Sequence, residues 1–276
     1  MLTTPPSSPA VNGETQVIVL MAWPAAHVRT PTLFNALCAR KNINAIMVPW
    51  AVRPEHLTQA WDGLRHIANL AGVVLTIPHK QAAAELCDEL EGDASLLGVV
   101  NAVRRNAIGS YTGRMYDGSG FVAGMLREGI ALAGKHVLLL GAGGAATALA
   151  LALARAGIAR LTIANRSPEK AHDLAALVGK AVPNCEVRAG SDEPGNHDIV
   201  INATSLGLKL DDALPCDTSK LTPAMVVAEV VMQPAVTRLL TEAEARGART
   251  HRGEHMVTSQ LDHFIEFLLP NVNPQA

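Results

Sequence analysis

The stretch VLLLGAGGAATALALALA, Val137 to Ala154, sets Gly141, Gly143 and Ala146 at G-x-G-x-x-A spacing between an apolar run suited to a strand and an Ala/Leu run suited to a helix. Small residues at these places let the backbone approach a pyrophosphate, and the N–H groups at a helix N-terminus stabilise its charge. The spacing alone is weak evidence. With a strand before it and a helix after it, the stretch predicts a dinucleotide site on a Rossmann-type domain, lined by Gly141, Ala142, Gly143, Gly144 and Ala145.

The second strand of such a domain reports which dinucleotide is bound. An NAD-type site carries Asp or Glu at its end, about 20 residues past the glycines, to accept from the ribose 2′-hydroxyl. LTIANRSPEK has none there. Asn165, Arg166, Ser167 and Lys170 instead offer donors and two positive charges, which suit a 2′-phosphate. NADP(H) is therefore favoured and NAD(H) stays open, the competing reading being an ordinary solvated loop.

Ahead of this domain, short apolar runs alternate with helix-length stretches: VIVLMAW, Pro31 to Lys41, AIMVPW, Pro54 to Asn69, GVVLTIP and Lys80 to Leu90. The alternation predicts β-α units on a largely parallel sheet. A strand at VVNAVRR leads through a Gly-rich turn region around GSYTGRMYDGSG into a helix from about Phe121 to Leu132. After the glycine loop come RLTIANR, a helix after Ser167, DIVINAT, MVVAEVV and a helix Ala235 to Arg246. In HMVTSQLDHFIEFLL, apolar Met256, Leu261, Phe264, Ile265 and Leu268 recur at helical spacing, and this segment is expected to return to the first domain. The fold class is thus α/β in two domains. A loose tail is expected over 1–16, a substrate domain over 17–120 with 253–276, and the Rossmann domain over 121–252.

At 276 residues, 49% hydrophobic, the chain has material for two ordinary cores. A net charge of -2 gives no basic field for nucleic acid or an anionic membrane. The ten histidines lack metal-ligand spacing, so no metal is expected. Cys38, Cys87, Cys185 and Cys216 stand apart with no C-x-x-C pair, which fits reduced thiols in the cytoplasm. The Pro/Ser-rich start has neither a charged n-region nor an apolar h-region and is no signal peptide.

The run VVLTIPHK, Val73 to Lys80, ends a core-type strand on an ammonium group. Taken alone, Lys80 is best read as a surface lysine beside a Pro turn. In order, however, TIPHK, GVVNAV, DGSGF, GAGGAA, NRS, INATSLG and MVTSQ resemble the shikimate dehydrogenase family, over about Val17 to Leu268. The resemblance implies reversible reduction of the ring ketone of 3-dehydroshikimate with a nicotinamide cofactor. It implies Lys80 and Asp117 as the catalytic pair, and Thr76, Asn101 and Gln260 as holding ring hydroxyls. Thr204, in INATSLG, is placed with the cofactor. A hydride reaching a carbonyl carbon leaves negative charge on oxygen, which a cation at the rim of an interdomain cleft stabilises. Asp117 would fix that ammonium and share the proton traffic.

Several positions depart from the family pattern. A Ser-x-Ser that holds the substrate carboxylate reads Val28 and Thr30, so one hydroxyl is lost. Val74 stands for Asn, Met115-Tyr116 for Asn-Thr, Met232 for Tyr and Glu229 for Asp, and the chain stops soon after Phe267, where many members add a helix. The departures fall on substrate positions, which predicts an altered pocket and reduced efficiency on shikimate. The expected partner is a small cyclic hydroxy acid such as shikimate, quinate or an amino analogue, with a homodimer left open. Two alternatives are a non-catalytic nucleotide or metabolite sensor, which has no need of both Lys80 and Asp117, and a reductase of another substrate class on the same plan.

Overall fold

A computed structural model describes residues 11–270, so residues 1–10 of the expected tail and residues 271–276 lie outside the described part. Contacts divide the chain into two units: the residues up to Tyr116 with those from Gln260 onward, and Asp117–Ser259 between them. The divisions follow Tyr116 and Ser259 rather than 120 and 252. Within the span read as tail, Thr15 is buried and its hydroxyl donates to Asn44 Oδ1 at 2.8 Å, while Asn12 N–H donates to Thr15 Oγ1 at 2.9 Å.

The first unit runs β1 (Gln16–Ala22), α1 (Thr30–Arg40), β2 (Ala45–Ala51), α2 (Leu57–Leu64), β3 (Leu70–Leu75), α3 (Lys80–Glu85), β4 (Glu89–Leu90), α4 (Asp93–Leu97), β5 (Ala102–Arg105) and β6 (Tyr111–Arg114). The second opens with α5 (Asp117–Arg127), β7 (His136–Leu140), α6 (Gly144–Arg155), β8 (Arg160–Ala164), α7 (Pro168–Ala181) and β9 (Glu186–Ala189). It continues with β10 (Ile199–Asn202), β11 (Val226–Glu229), α8 (Arg238–Ala245), β12 (Arg249–His251) and α9 (Glu254–Thr258). Finally, α10 (Leu261–Leu268) belongs to the first unit.

The first sheet has strand order β2-β1-β3-β5-β6-β4. The strands of the alternating stretch, β1, β2 and β3, pair in parallel as expected, and the sheet is mixed because β5 is antiparallel to both β3 and β6. In the segment around GSYTGRMYDGSG only the start is a turn, where Gly109 adopts φ +85° and donates its N–H to Asn106 O at 2.9 Å. Next comes β6, whose Gly113 is buried with Val100 Cγ1 2.6 Å from where a Cβ would stand, so this glycine marks close packing inside a strand. The segment's end is the first turn of α5, which starts at Asp117 rather than near Phe121. A Cβ on Gly118 would lie 2.3 Å from Ala148 O of α6, so glycine is needed for two helices to cross this closely.

β3 is buried at all six positions, as a central strand must be. Gly72 within it leaves room for Leu268 of α10, whose Cδ2 would be 2.8 Å from an added Cβ. The helical segment read over Met256 to Leu268 is two helices. Only α10 packs with the first unit; α9 stays with the second, where Gly124 of α5 faces His255 O at 2.9 Å from an added Cβ.

The second sheet is parallel throughout, in the order β12-β11-β10-β7-β8-β9. Strand order reverses between β7 and β10, and in open α/β sheets ligands bind beyond the carboxyl ends of the strands at such a reversal. No described helix is long and apolar enough to cross a membrane.

Candidate active site

In the first unit, β3 ends at Leu75 and hands the chain to Thr76, whose N–H donates to Met21 O at 3.1 Å and whose carbonyl accepts from His79 N–H at 2.9 Å. This tight turn starts α3 at Lys80. The lysine is not a rim group: only 8% of it is exposed. Its carbonyl accepts from Val100 N–H at 3.0 Å, which ties the turn to the segment before β5. His79 is buried beside it with Nε2 2.8 Å from Val52 O, and burial lowers its pKa, so it stands as a neutral support.

Asn101, also buried, donates from Nδ2 to Gln260 Oε1 at 2.8 Å and accepts at Oδ1 from Tyr116 N–H at 2.9 Å. Two residues singled out from distant motifs are thus brought into one buried hydrogen bond. Val28 and Thr30 are half-buried on the segment that enters α1, Thr30 being its first residue. The hydroxyl lost at Val28 is replaced by an apolar group.

In the second unit, Asp117 is buried at the first turn of α5, where the helix dipole favours a carboxylate. Gly141 adopts φ +114° at the end of β7, and Ala203 O lies 3.0 Å from where its Cβ would be. Gly143 caps α6, and no atom lies within 4 Å of a Cβ placed there. Ala142, Gly144 and Ala145 are half-buried around this open cradle, and Ala146 is buried beneath it. A glycine in left-handed backbone, an open approach and a helix N-terminus together fit a pyrophosphate.

At the end of β8, Arg166 and Lys170 are exposed, and Asn165 Nδ2 donates to Ser167 O at 3.0 Å. Glu169, which the sequence reading passed over, accepts from Ser167 Oγ at 2.9 Å. The signal was present, since a carboxylate two residues after the Ser that precedes a helix is placed to take its hydroxyl. Arg166 and Lys170 are thus the two cationic side chains exposed beside this turn.

Thr204 follows β10. Its N–H and hydroxyl donate to Asn202 Oδ1 at 3.1 and 2.7 Å, while Asn202 Nδ2 donates to Glu229 Oε2 at 3.0 Å and to Leu206 O at 2.9 Å. Glu229 is fully buried, accepts from Thr237 Oγ1 at 2.8 Å, and burial pushes its pKa up to about 7. A buried Asn202–Glu229–Thr237 network therefore shapes the Thr204 loop, and its one trace in the sequence is the Asp-to-Glu departure. Met232, half-buried, lies on the loop after β11.

A parallel sheet with an order reversal, a glycine cradle and a separate α/β unit carrying a buried lysine define a nicotinamide-dependent oxidoreductase. The description "Shikimate dehydrogenase substrate binding domain" matches residues 20–103, and "Shikimate / quinate 5-dehydrogenase" matches residues 125–211. The chain belongs to the shikimate dehydrogenase family. It is 37% identical to the shikimate dehydrogenase (NADP(+)) of Rubrobacter xylanophilus over 92% of this chain and 90% of that one. Among solved structures it is similar to a shikimate dehydrogenase in complex with NADP+, at 31% identity and a TM-score of 0.88, covering 98% of this chain and 96% of that one. It is also similar to the 5-ketofructose reductase of Gluconobacter sp. strain CHM43, at 32% identity and a TM-score of 0.81, covering 95% and 96%.

Proposed function

We propose that this chain interconverts a ring ketone and its alcohol on a shikimate-type cyclic hydroxy acid, in the cytoplasm, using NADP(H) in preference to NAD(H). The observation that carries the reading is Lys80, buried at the head of α3, in the unit that also holds the Asn101–Gln260 amide pair. When bound, the nicotinamide supplies or accepts the hydride. Lys80 stabilises the negative charge that develops on the substrate oxygen and donates the proton that completes the alcohol. Asp117 is the acidic member of the catalytic pair that the family motifs imply. Asn101, Gln260 and Thr76 hold ring hydroxyls, so their contribution is to orientation. Gly141 to Ala145 cradle the pyrophosphate, Arg166 and Lys170 pair with the 2′-phosphate, and the Thr204 loop supports the nicotinamide end.

Val28 and Met232 each replace a group that in the family holds the carboxylate, and a lost bond to a charged acceptor costs about 1.5 to 3 kcal/mol. Shikimate is therefore a weak substrate, by more than ~tenfold in kcat/KM. The similarity to 5-ketofructose reductase favours a second reading, in which the substrate is an uncharged polyhydroxy ketone. The test is nicotinamide absorbance with shikimate, quinate and 5-ketofructose, for the wild type and for Val28→Ser with Met232→Tyr. The double variant should gain on shikimate, mainly in KM. Wild-type efficiency on shikimate equal to that of an unaltered relative, or no gain in a folded double variant, contradicts this account of the pocket. Turnover of the ketose alone favours the second reading. Light scattering on the same protein reads whether it forms a homodimer.

A further inference from the structure

Tyr116 has no part in the chemistry above, yet it sits where the sequence departs from its family, in Met115-Tyr116. Its main-chain N–H donates to Asn101 Oδ1 at 2.9 Å. Its half-buried ring lies flat against His263, with centroids 5.5 Å apart and planes 11° from parallel. The same ring meets Phe264 and Phe267 edge-on, at 6.0 and 5.9 Å. Its hydroxyl accepts a long bond from Arg114 Nη1 at 3.4 Å, and Arg114 in turn donates from Nε to Glu91 at 2.6 Å and covers Phe267 at 4.9 Å.

These contacts close a circuit inside one unit. The backbone of Tyr116 fixes one end of the Asn101 amide, whose other end donates to Gln260. Gln260 caps α10, and the Tyr116 ring grips that helix through His263, Phe264 and Phe267. A threonine at 116 keeps the backbone bond but has no ring to hold α10. The circuit also fixes which way the Asn101 amide faces, since Oδ1 meets an N–H and Nδ2 meets an oxygen.

We infer that Tyr116 is a positioning residue for substrate: its ring sets the place of the Gln260 amide against Asn101. The inference rests on the reading that this amide pair holds substrate hydroxyls. An aromatic contact of this kind has a measurable worth beyond buried area, enough for about tenfold in binding when the pair is displaced.

The test uses the full chain and whichever substrate of the panel turns over. Tyr116→Thr should raise KM about tenfold with kcat within about threefold, while NADPH affinity, read by fluorescence, stays unchanged. Tyr116→Phe keeps the stack and should restore KM to within about twofold of wild type. KM unchanged in Tyr116→Thr while stability falls, or Tyr116→Phe as impaired as Tyr116→Thr, overturns the inference. Should Tyr116→Thr not fold, His263→Ala takes its place, because that side chain is 49% exposed and its loss removes the other half of the stack. It too must raise KM; an unchanged KM overturns the inference. Asn101→Ala separates the two layers. If it raises KM and Tyr116→Thr does not, the positioning role alone fails; if Asn101→Ala leaves KM unaltered, the reading of the amide pair fails and the inference with it.

Discussion

Asn101 donates to Gln260 across 159 residues of chain, and both side chains are 2% exposed. A buried amide pair of this kind has one satisfied arrangement, so it fixes the orientation of both side chains where a pair of apolar residues would not. Lys80 is tied to the same region by its carbonyl, which accepts from Val100 N–H at 3.0 Å, one residue before Asn101.

Replacing Lys80 by methionine should abolish most turnover without unfolding the chain. Because the side chain is buried, alanine would leave a hole, whereas methionine keeps the stem. We expect kcat to fall ~10²–10⁴-fold, the usual worth of a positioned proton donor. The Tm should stay within about 3 °C, the shift that ~1 kcal/mol gives in a chain of this size. Near-normal kcat in this variant, measured on the best substrate, removes Lys80 from the mechanism.

Arg166→Ala should weaken NADP(H) and spare NAD(H). The side chain is exposed at the end of β8, and a charge-assisted bond to phosphate is worth about 1.5 to 3 kcal/mol, or ~10- to 150-fold in affinity. Titration of cofactor fluorescence checks it. Equal losses for both cofactors would mean that Arg166 does not read the 2′-phosphate.

Glu229 makes stability fall as pH rises. Burial raises its folded pKa to about 7 from an ordinary 4.5, so between these values the folded chain holds a proton that the unfolded chain releases. Stability is highest below the unfolded value and declines through the folded one, by about 3 kcal/mol over the whole window. Glu229→Gln does not titrate. The difference in Tm, variant minus wild type, should therefore grow from pH 5 to pH 8, and a difference independent of pH would refute the assignment.

His251 acts with the opposite sign. Burial, with help from His255, Arg127 and Arg249, holds its pKa down to about 4 from 6.5. As pH falls from 6.5 towards 4, the unfolded chain takes up a proton that the folded chain refuses, and stability drops by about 3 kcal/mol. His251→Leu should make the acid limb of a urea-unfolding series shallower. Parallel limbs for variant and wild type would show that another group carries the acid sensitivity.

The Rossmann-type unit was legible because its signals are local: glycines at fixed spacing, a strand before and a helix after. The first unit was less so. Gly113 and Gly118 suggest turns by composition, yet one sits in β6 and the other in α5, each because a neighbour comes too close for a side chain. Gly72 carried the clue to where α10 docks, but a glycine in a strand does not say which distant residue fills the space. The ordered motifs drew attention to Lys80, but its burial comes from the packing around α3, which no spacing rule encodes. Glu229 looked like a substitution at a substrate position, whereas it is locked between Asn202 and Thr237 behind the Thr204 loop.

The first unit is assembled from two pieces of chain, with the whole of the second unit encoded between β6 and α10. Synthesis from the N-terminus therefore exposes Gly72 and Asn101 long before Leu268 and Gln260 exist to meet them. The second unit, a continuous stretch, can be completed first, while the sheet of the first waits with the seat for α10 uncovered. A chain that stops at Ser259 would therefore keep the second unit's sequence entire, while the first would lack α10 and the oxygen that Asn101 meets.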